Sequence, residues 1–208
     1  WMRVGYCQGN FNSDNCAAGG FTLDYGPFGF CELFDPRFQP WTGGGEHFSF
    51  FNQPFAAEIN FKMFCSSLLP LLLENKEDIE KLEKIKNDFS KLMSKEMQLM
   101  WAKKLGLEKY DETLTNELFN LMVNSNADFS IFFRKLSHIP DNISSIKESF
   151  YLPSTEDLDK KWIIWLKKWQ DGIKKEGNFE EISKSMKKVN PKFTWREWMI
   201  VPAYEEAE

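Results

Sequence analysis

A chain of 208 residues, 42% hydrophobic and 27% charged, is long enough to bury a core as one domain or one and a half. A formal net charge of -5 speaks against a nucleic-acid partner, whose binders carry a basic surplus. No apolar run reaches the roughly 18 residues of a membrane span: the best stretch, Cys65 to Leu73, is broken by Ser66, Ser67 and Pro70, so no membrane partner is expected.

The chain changes character near Phe61. Residues 1–61 hold nine of the twelve Gly, eleven of the twenty Phe and no Lys, with two Arg (Arg3, Arg37) against six acids. Beyond them, 24 basic residues face 25 acidic ones in Lys-rich amphipathic patterns. The first part reads as turns and short strands around a site, the second (62–208) as a helical layer of the same domain. The opening Trp1-Met2-Arg3-Val4-Gly5 looks nothing like a targeting segment. The closing Ala203-Tyr204-Glu205-Glu206-Ala207-Glu208 reads as a helix cut in mid-course, so both ends read as severed and a fragment is expected. Four Cys without C-x-x-C spacing and two His give no structural zinc pattern; the Cys suit small buried residues in a reducing compartment.

In chain order, Asn12-Ser13-Asp14-Asn15 is a run of turn formers and predicts a loop. Gly19-Gly20 allows a second turn, and Phe21-Thr22-Leu23 is a short strand candidate with Asp24 at its end. Ile79, Leu82, Ile85, Phe89, Leu92, Met93 and Met100 fall at helical spacing. Leu114, Leu118, Leu121 and Met122 predict a shorter helix after Asp111. A helix start at Ser154-Thr155-Glu156-Asp157 leads into an apolar stripe of Leu158, Trp162, Trp165, Leu166, Trp169 and Ile173, closed near Gly177. Rings at that spacing predict core, and the Lys pairs at 160–161, 167–168 and 174–175 a solvated face. Phe179, Ile182, Met186 and Val189 predict a last helix, ended before Asn190-Pro191.

The chemistry-bearing residues lie in the first loop and just after it. A hairpin joining the two would return the first loop to the side of Asp24. Asn15 and Asp24 could then share one hard cation; Mg2+ takes a few oxygen ligands and keeps the rest of its shell for water and phosphate. Asp14, facing the other way on an extended segment, would be free to accept a proton from an incoming hydroxyl. Both segments could equally be ordinary surface turns. No Walker sequence, G-x-G-x-x-G loop, G-x-S-x-G elbow or H-E-x-x-H pair offers a rival chemistry.

Trp1, Val4, Gly5, Tyr6, Gly9 and Asn12-Ser13-Asp14-Asn15, followed by Leu23 to Phe30 (with D-Y-G-P-F-G-F) and Phe34-Asp35-Pro36, resemble the signature of the selenoprotein O family. Asn52-Gln53-Pro54, Asn60, Lys104 to Leu107, Ala127-Asp128-Phe129, Trp162 to Trp169 and Asn190-Pro191-Lys192 look like later landmarks in the same order, so the resemblance covers essentially the whole chain. It implies an α+β, mostly helical fold: a protein-kinase-like C-lobe with a short β-hairpin bearing the metal ligands. It implies a protein adenylyltransferase that moves AMP from ATP to Ser, Thr or Tyr hydroxyls of protein substrates with Mg2+, ATP lying flipped relative to a protein kinase. In that scheme Asp14 is the proton acceptor, Asn15 and Asp24 hold magnesium, and Asp24 also touches the nucleotide. A carboxylate is a feeble base at neutral pH, so Asp14 would chiefly orient the hydroxyl.

Two departures stand out. Gln8 occupies a position where many members have His, and Glu197 follows Arg196 where the family tends to Asn. The resemblance further implies that the glycine-rich loop, a phosphate-binding Lys with its Glu partner, and clamping Arg residues precede Trp1, and that the redox Cys or selenocysteine follows Glu208. The fragment alone is then expected to be inactive, with a non-catalytic pseudokinase-like scaffold as the alternative. Members are mitochondrial in eukaryotes and cytoplasmic in bacteria, which sets the expected compartment.

Overall fold

The computed structural model describes residues 1–25, 29–41, 45–72 and 75–207, so Gly26, Pro27 and Phe28 of the D-Y-G-P-F-G-F run lie outside the described residues. The helices are α1 (Gln53–Leu72), α2 (Lys76–Leu105), α3 (Glu112–Asn124), α4 (Phe129–Leu136), α5 (Ser144–Lys147), α6 (Glu156–Ile173), α7 (Phe179–Val189) and α8 (Glu197–Glu205). Two short strands, β1 (Tyr6–Cys7) and β2 (Gly29–Phe30), pair as an antiparallel sheet. The fold is mostly helical with a small sheet, as an α+β reading requires.

The expected strand at Phe21-Thr22-Leu23 does not form. Gly20 turns the chain with φ 76°, Phe21 is a bend, and residues 22–25 carry no regular structure. Phe21 and Leu23 are both exposed, so the run has no apolar face to bury. The helical part also starts earlier than Phe61. Pro54 sits in the first turn of α1, where its missing N–H costs nothing.

The chain forms two compact units. One comprises Cys7–Gly29 and Pro36–Met97. Here α1 packs against the 3-10 turns Ser13–Asn15, Glu46–Phe48 and Phe50–Asn52. Phe61 and Phe89 stack with centroids 4.6 Å apart. The periodic apolar residues of α2 do form a helix, yet Ile85 and Leu92 remain 56% and 57% exposed, so much of that stripe is not core. The span Phe50–Leu72 is long and apolar enough, by length and composition, to cross a membrane, so the run-length criterion applied to the sequence does not exclude one. Gln53 and Asn60 are nevertheless buried in it, on hydrogen bonds to the loops described below.

The other unit comprises Trp1–Tyr6, Phe30–Asp35 and Gln98–Glu208. Its core is the predicted Trp stripe. Trp162, Trp165 and Trp169 are fully buried, and each indole N–H finds an acceptor: Ser125 Oγ at 2.8 Å, Leu114 O at 2.9 Å and Leu105 O at 2.8 Å. Buried rings satisfied in this way deliver their full apolar burial without a polar penalty. Thr155, Asp111, Asp128 and Asn178 cap α6, α3, α4 and α7 through their side chains. Asp128 also pairs with buried Arg196 at 2.9 Å. Glu197 is exposed in the first turn of α8, where a negative charge suits the helix dipole. The Lys pairs of α6 are exposed, as expected.

Lys104 is 1% exposed and has no carboxylate partner among the described residues. Its Nζ donates to Arg3 O at 2.8 Å and to Asn190 Oδ1 at 2.9 Å, 4.0 Å from the centre of the Phe133 ring. Ring and carbonyl acceptors favour the charged amine, but burial dominates and pushes its pKa well below 10.5, with Arg3 adding repulsion. The unfolded chain then binds more protons than the folded one from the folded pKa up to 10.5. Stability should therefore rise with pH across that window. Lys104→Met should abolish that rise in urea titrations at stepped pH; an unchanged slope would show that Lys104 is not its source.

Candidate active site

The loop carrying Asp14 and Asn15 is polar, and packing alone cannot hold it. Gly9 starts it with φ 77°, a left-handed turn with no room for a side chain: a Cβ there would lie 3.0 Å from Gln39 Oε1 and 3.1 Å from Pro40 Cγ. Four amide side chains then fix it. Gln8 N–H donates to Gln53 Oε1 at 3.0 Å, and Asn10 N–H to Gln8 Oε1 at 2.8 Å. Gln39 Nε2 donates to Gly9 O at 3.0 Å, and Asn60 Nδ2 to Phe11 O at 2.9 Å. Phe11 is the one large apolar residue of the loop and is buried.

The loop ends in one 3-10 turn, Ser13–Asn15, rather than an extended piece. With three residues per turn, neighbouring side chains diverge by about 120°, so Asp14 and Asn15 still point to different places. Asp14 is exposed and Asn15 half-buried. Asn15 Nδ2 donates to Asn10 O at 2.9 Å, which fixes the amide. Asp24 lies nine residues further on, exposed, in the irregular segment after the Phe21 bend. The structure thus brings Asp14 and Asn15 together on one turn, while Asp24 comes from irregular chain instead of a hairpin strand.

Among the described residues no group of three or more His, Cys, Asp or Glu is placed to hold a metal ion. The available oxygen set, one amide and carboxylates, is hard and suits Mg2+ rather than zinc. All four Cys are free thiols, and Cys7, Cys31 and Cys65 are buried. Burial pushes the Cys7 thiol up to about 12, so it is no nucleophile. Cations are scarce. Arg3, counted with the first part of the sequence, donates to Val189 O at 2.8 Å and closes the end of α7.

The sequence reading named Gln53 and Asn60 as landmarks without a role and passed over Gln39. A signal was there for the first two. Gln53, Ala56 and Asn60 occupy one face of α1, and amides on the buried face of an apolar helix need acceptors. Gln8, at the His-preferring position, is 5% exposed and acts as a neutral clasp on Asn10.

Known proteins that resemble this chain are nucleotidyltransferases by name. It is 31% identical over 220 residues to the "Protein nucleotidyltransferase YdiU" of Aromatoleum aromaticum. It is 32% identical over 223 residues to that of Flavobacterium johnsoniae and 32% over 214 residues to that of Brevibacillus brevis. Each match covers 100% of this chain but only 41–42% of the relative, so the chain spans about two-fifths of their length. The family profile described as "Protein adenylyltransferase SelO" matches residues 1–208, and the chain belongs to the SelO family.

Asn60→Ala should remove the amide donor that Asn60 gives the buried Phe11 carbonyl, costing about 1–3 kcal/mol of stability. Urea unfolding measures this, and amide exchange over residues 10–16 should quicken; equal stability and exchange would mean the loop is held by other contacts.

Proposed function

We propose that this chain supplies the metal-holding and hydroxyl-orienting part of a protein adenylyltransferase, within a kinase-like C-lobe. The single observation behind this reading is the pinned turn. Asn15 has its amide nitrogen tied to Asn10, and Asp14 stands exposed beside it. Family membership and the relatives' names support nucleotidyl transfer in general. Magnesium, ATP as donor and protein hydroxyls as acceptors are our inference from them.

In this reading Asn15 and Asp24 hold Mg2+, which would neutralise phosphate charge when bound. A Ser, Thr or Tyr hydroxyl oxygen attacks the α-phosphorus of ATP. The bond from that phosphorus to the bridging oxygen breaks, pyrophosphate leaves, and the hydroxyl proton passes to the Asp14 carboxylate. Asp14 contributes mainly by aligning the hydroxyl for in-line attack. The anchored loop lowers the cost of that alignment, because its backbone is already fixed by Gln39, Gln53 and Asn60.

The scarcity of cations favours a second reading. Gln8 carries no charge and Arg3 is engaged at α7, so residues 1–61, whose cations are Arg3 and Arg37, hold few groups able to grip a triphosphate. On this ground the isolated chain turns over poorly or serves as a non-catalytic scaffold. The test uses the protein at its full natural length and ATP radiolabelled at the α-phosphorus. Asp24→Ala should lower transfer of label to protein by at least about a hundredfold. Undiminished labelling by that variant would overturn the assignment, and no labelling or magnesium-ATP heat from the wild type would favour the scaffold.

A further inference from the structure

A second concave feature lies wholly within the helical unit and has no part in the proposed transfer. It is an open surface depression of about 530 Å3, in which Ile131, His138, Lys192 and Phe193 are exposed. Its charged lining is all basic: Arg134 and Lys135 from the last turn of α4, His138 just after it, and Lys192 beyond α7. Among the described residues no carboxylate lines it. Ile131, Pro140 and Phe193 supply apolar wall.

Basic residues in the last turn of a helix need no ligand to explain them, since they suit its dipole. Three further observations are not covered by that account. Lys192 lies outside the helix, its Nζ 4.9 Å from the centre of the Phe193 ring, with no ion-pair partner among the described residues. Phe193 itself is 79% exposed, an aromatic surface left facing water. Ile139, between His138 and Pro140, has φ 53°, a left-handed conformation that a β-branched residue before proline strongly disfavours. Strain of this kind concentrates where a fold clamps a ligand. Arg134 is already oriented, its Nη1 shared between Lys187 O and Asn190 O at 3.2 Å each.

We propose that this depression binds a small organic anion with a flat apolar body, of the aryl phosphate or aryl carboxylate class. The anionic head meets Lys192, Arg134 and His138, and the ring lies against Phe193 and the Ile131 wall. Burial and the neighbouring Lys187, Arg134 and Lys135 hold the His138 imidazole below its ordinary pKa. The charged groups that line the site with it are basic, and the nearby Glu148 carboxylate is engaged with Lys135. A bound anion would reverse that field, so binding takes up a proton and strengthens as pH falls below neutrality.

The protein at its full natural length, titrated with phenyl phosphate and followed by the imidazole resonances of His138, assigned with a His138→Gln variant, tests the idea. A saturable shift is expected, tighter at pH 6 than at pH 8, with inorganic phosphate binding more weakly for lack of a ring. Lys192→Gln, at an exposed position that leaves the fold alone, should weaken phenyl phosphate about tenfold. No saturable shift, or equal affinity in Lys192→Gln, would overturn the proposal.

Discussion

Amide hydrogen bonds from α1 and from Gln39 to the backbone of residues 8–11 are the constraint on which the candidate site depends. A loop of Asn, Ser, Asp and Gly has almost nothing to bury, so the hydrophobic effect cannot choose one conformation for it. Directional bonds can. Gln53 and Asn60 reach from one helix face about two turns apart, and the Phe11 ring adds the loop's single apolar anchor. These bonds end on backbone groups and take up neither the Asp14 nor the Asn15 side chain, although the Asn15 amide nitrogen is itself tied to Asn10 O. Rigidity in the backbone and availability in the side chains are what a positioning loop needs.

The helical unit is organised on a different principle. Rings dominate it, and its buried polar atoms serve geometry rather than reaction. Three indole N–H groups close onto Ser125, Leu114 and Leu105, tying α6 to α3 and to the end of α2. Asn190, fully buried, donates to Lys104 O and to Ser137 Oγ while accepting from Lys104 Nζ. Arg196 and Asp128 form a buried pair whose removal from either side would strand a charge. Landmarks such as Lys104, Asp128 and Asn190 are thus accounted for by folding. None of them needs a substrate to explain its presence.

The sequence was most legible where one period ran long. The ring stripe of α6, the caps Thr155 and Asp111, and the stop before Asn190-Pro191 all follow from helical spacing and turn chemistry, and all are found. It was least legible where elements are short or apolar all round. Two-residue strands leave no periodicity, so Tyr6–Cys7 and Gly29–Phe30 went unseen while Phe21-Thr22-Leu23 was favoured on residue type. The early start of α1 was hidden because its Phe, Ala and Ile show no polar face, and Pro54 reads as a breaker unless it is in a first turn. In the candidate site, Asp14, Asn15 and Asp24 are candidates by residue type together with the family resemblance. The clasp formed by Gln39, Gln53 and Asn60 depends on contacts 30 to 49 residues apart, which no local pattern encodes.

The account turns on whether the Asn15 amide oxygen and the Asp24 carboxylate serve one cation. Manganese, a paramagnetic stand-in for magnesium, broadens amide signals steeply with distance when added with ATP to labelled protein. The account predicts that the signals of Asn15 and Asp24 vanish together at the lowest manganese ratio, and that Asn15→Ala removes the effect at Asp24. Broadening at one of the two alone, or at neither, would contradict it.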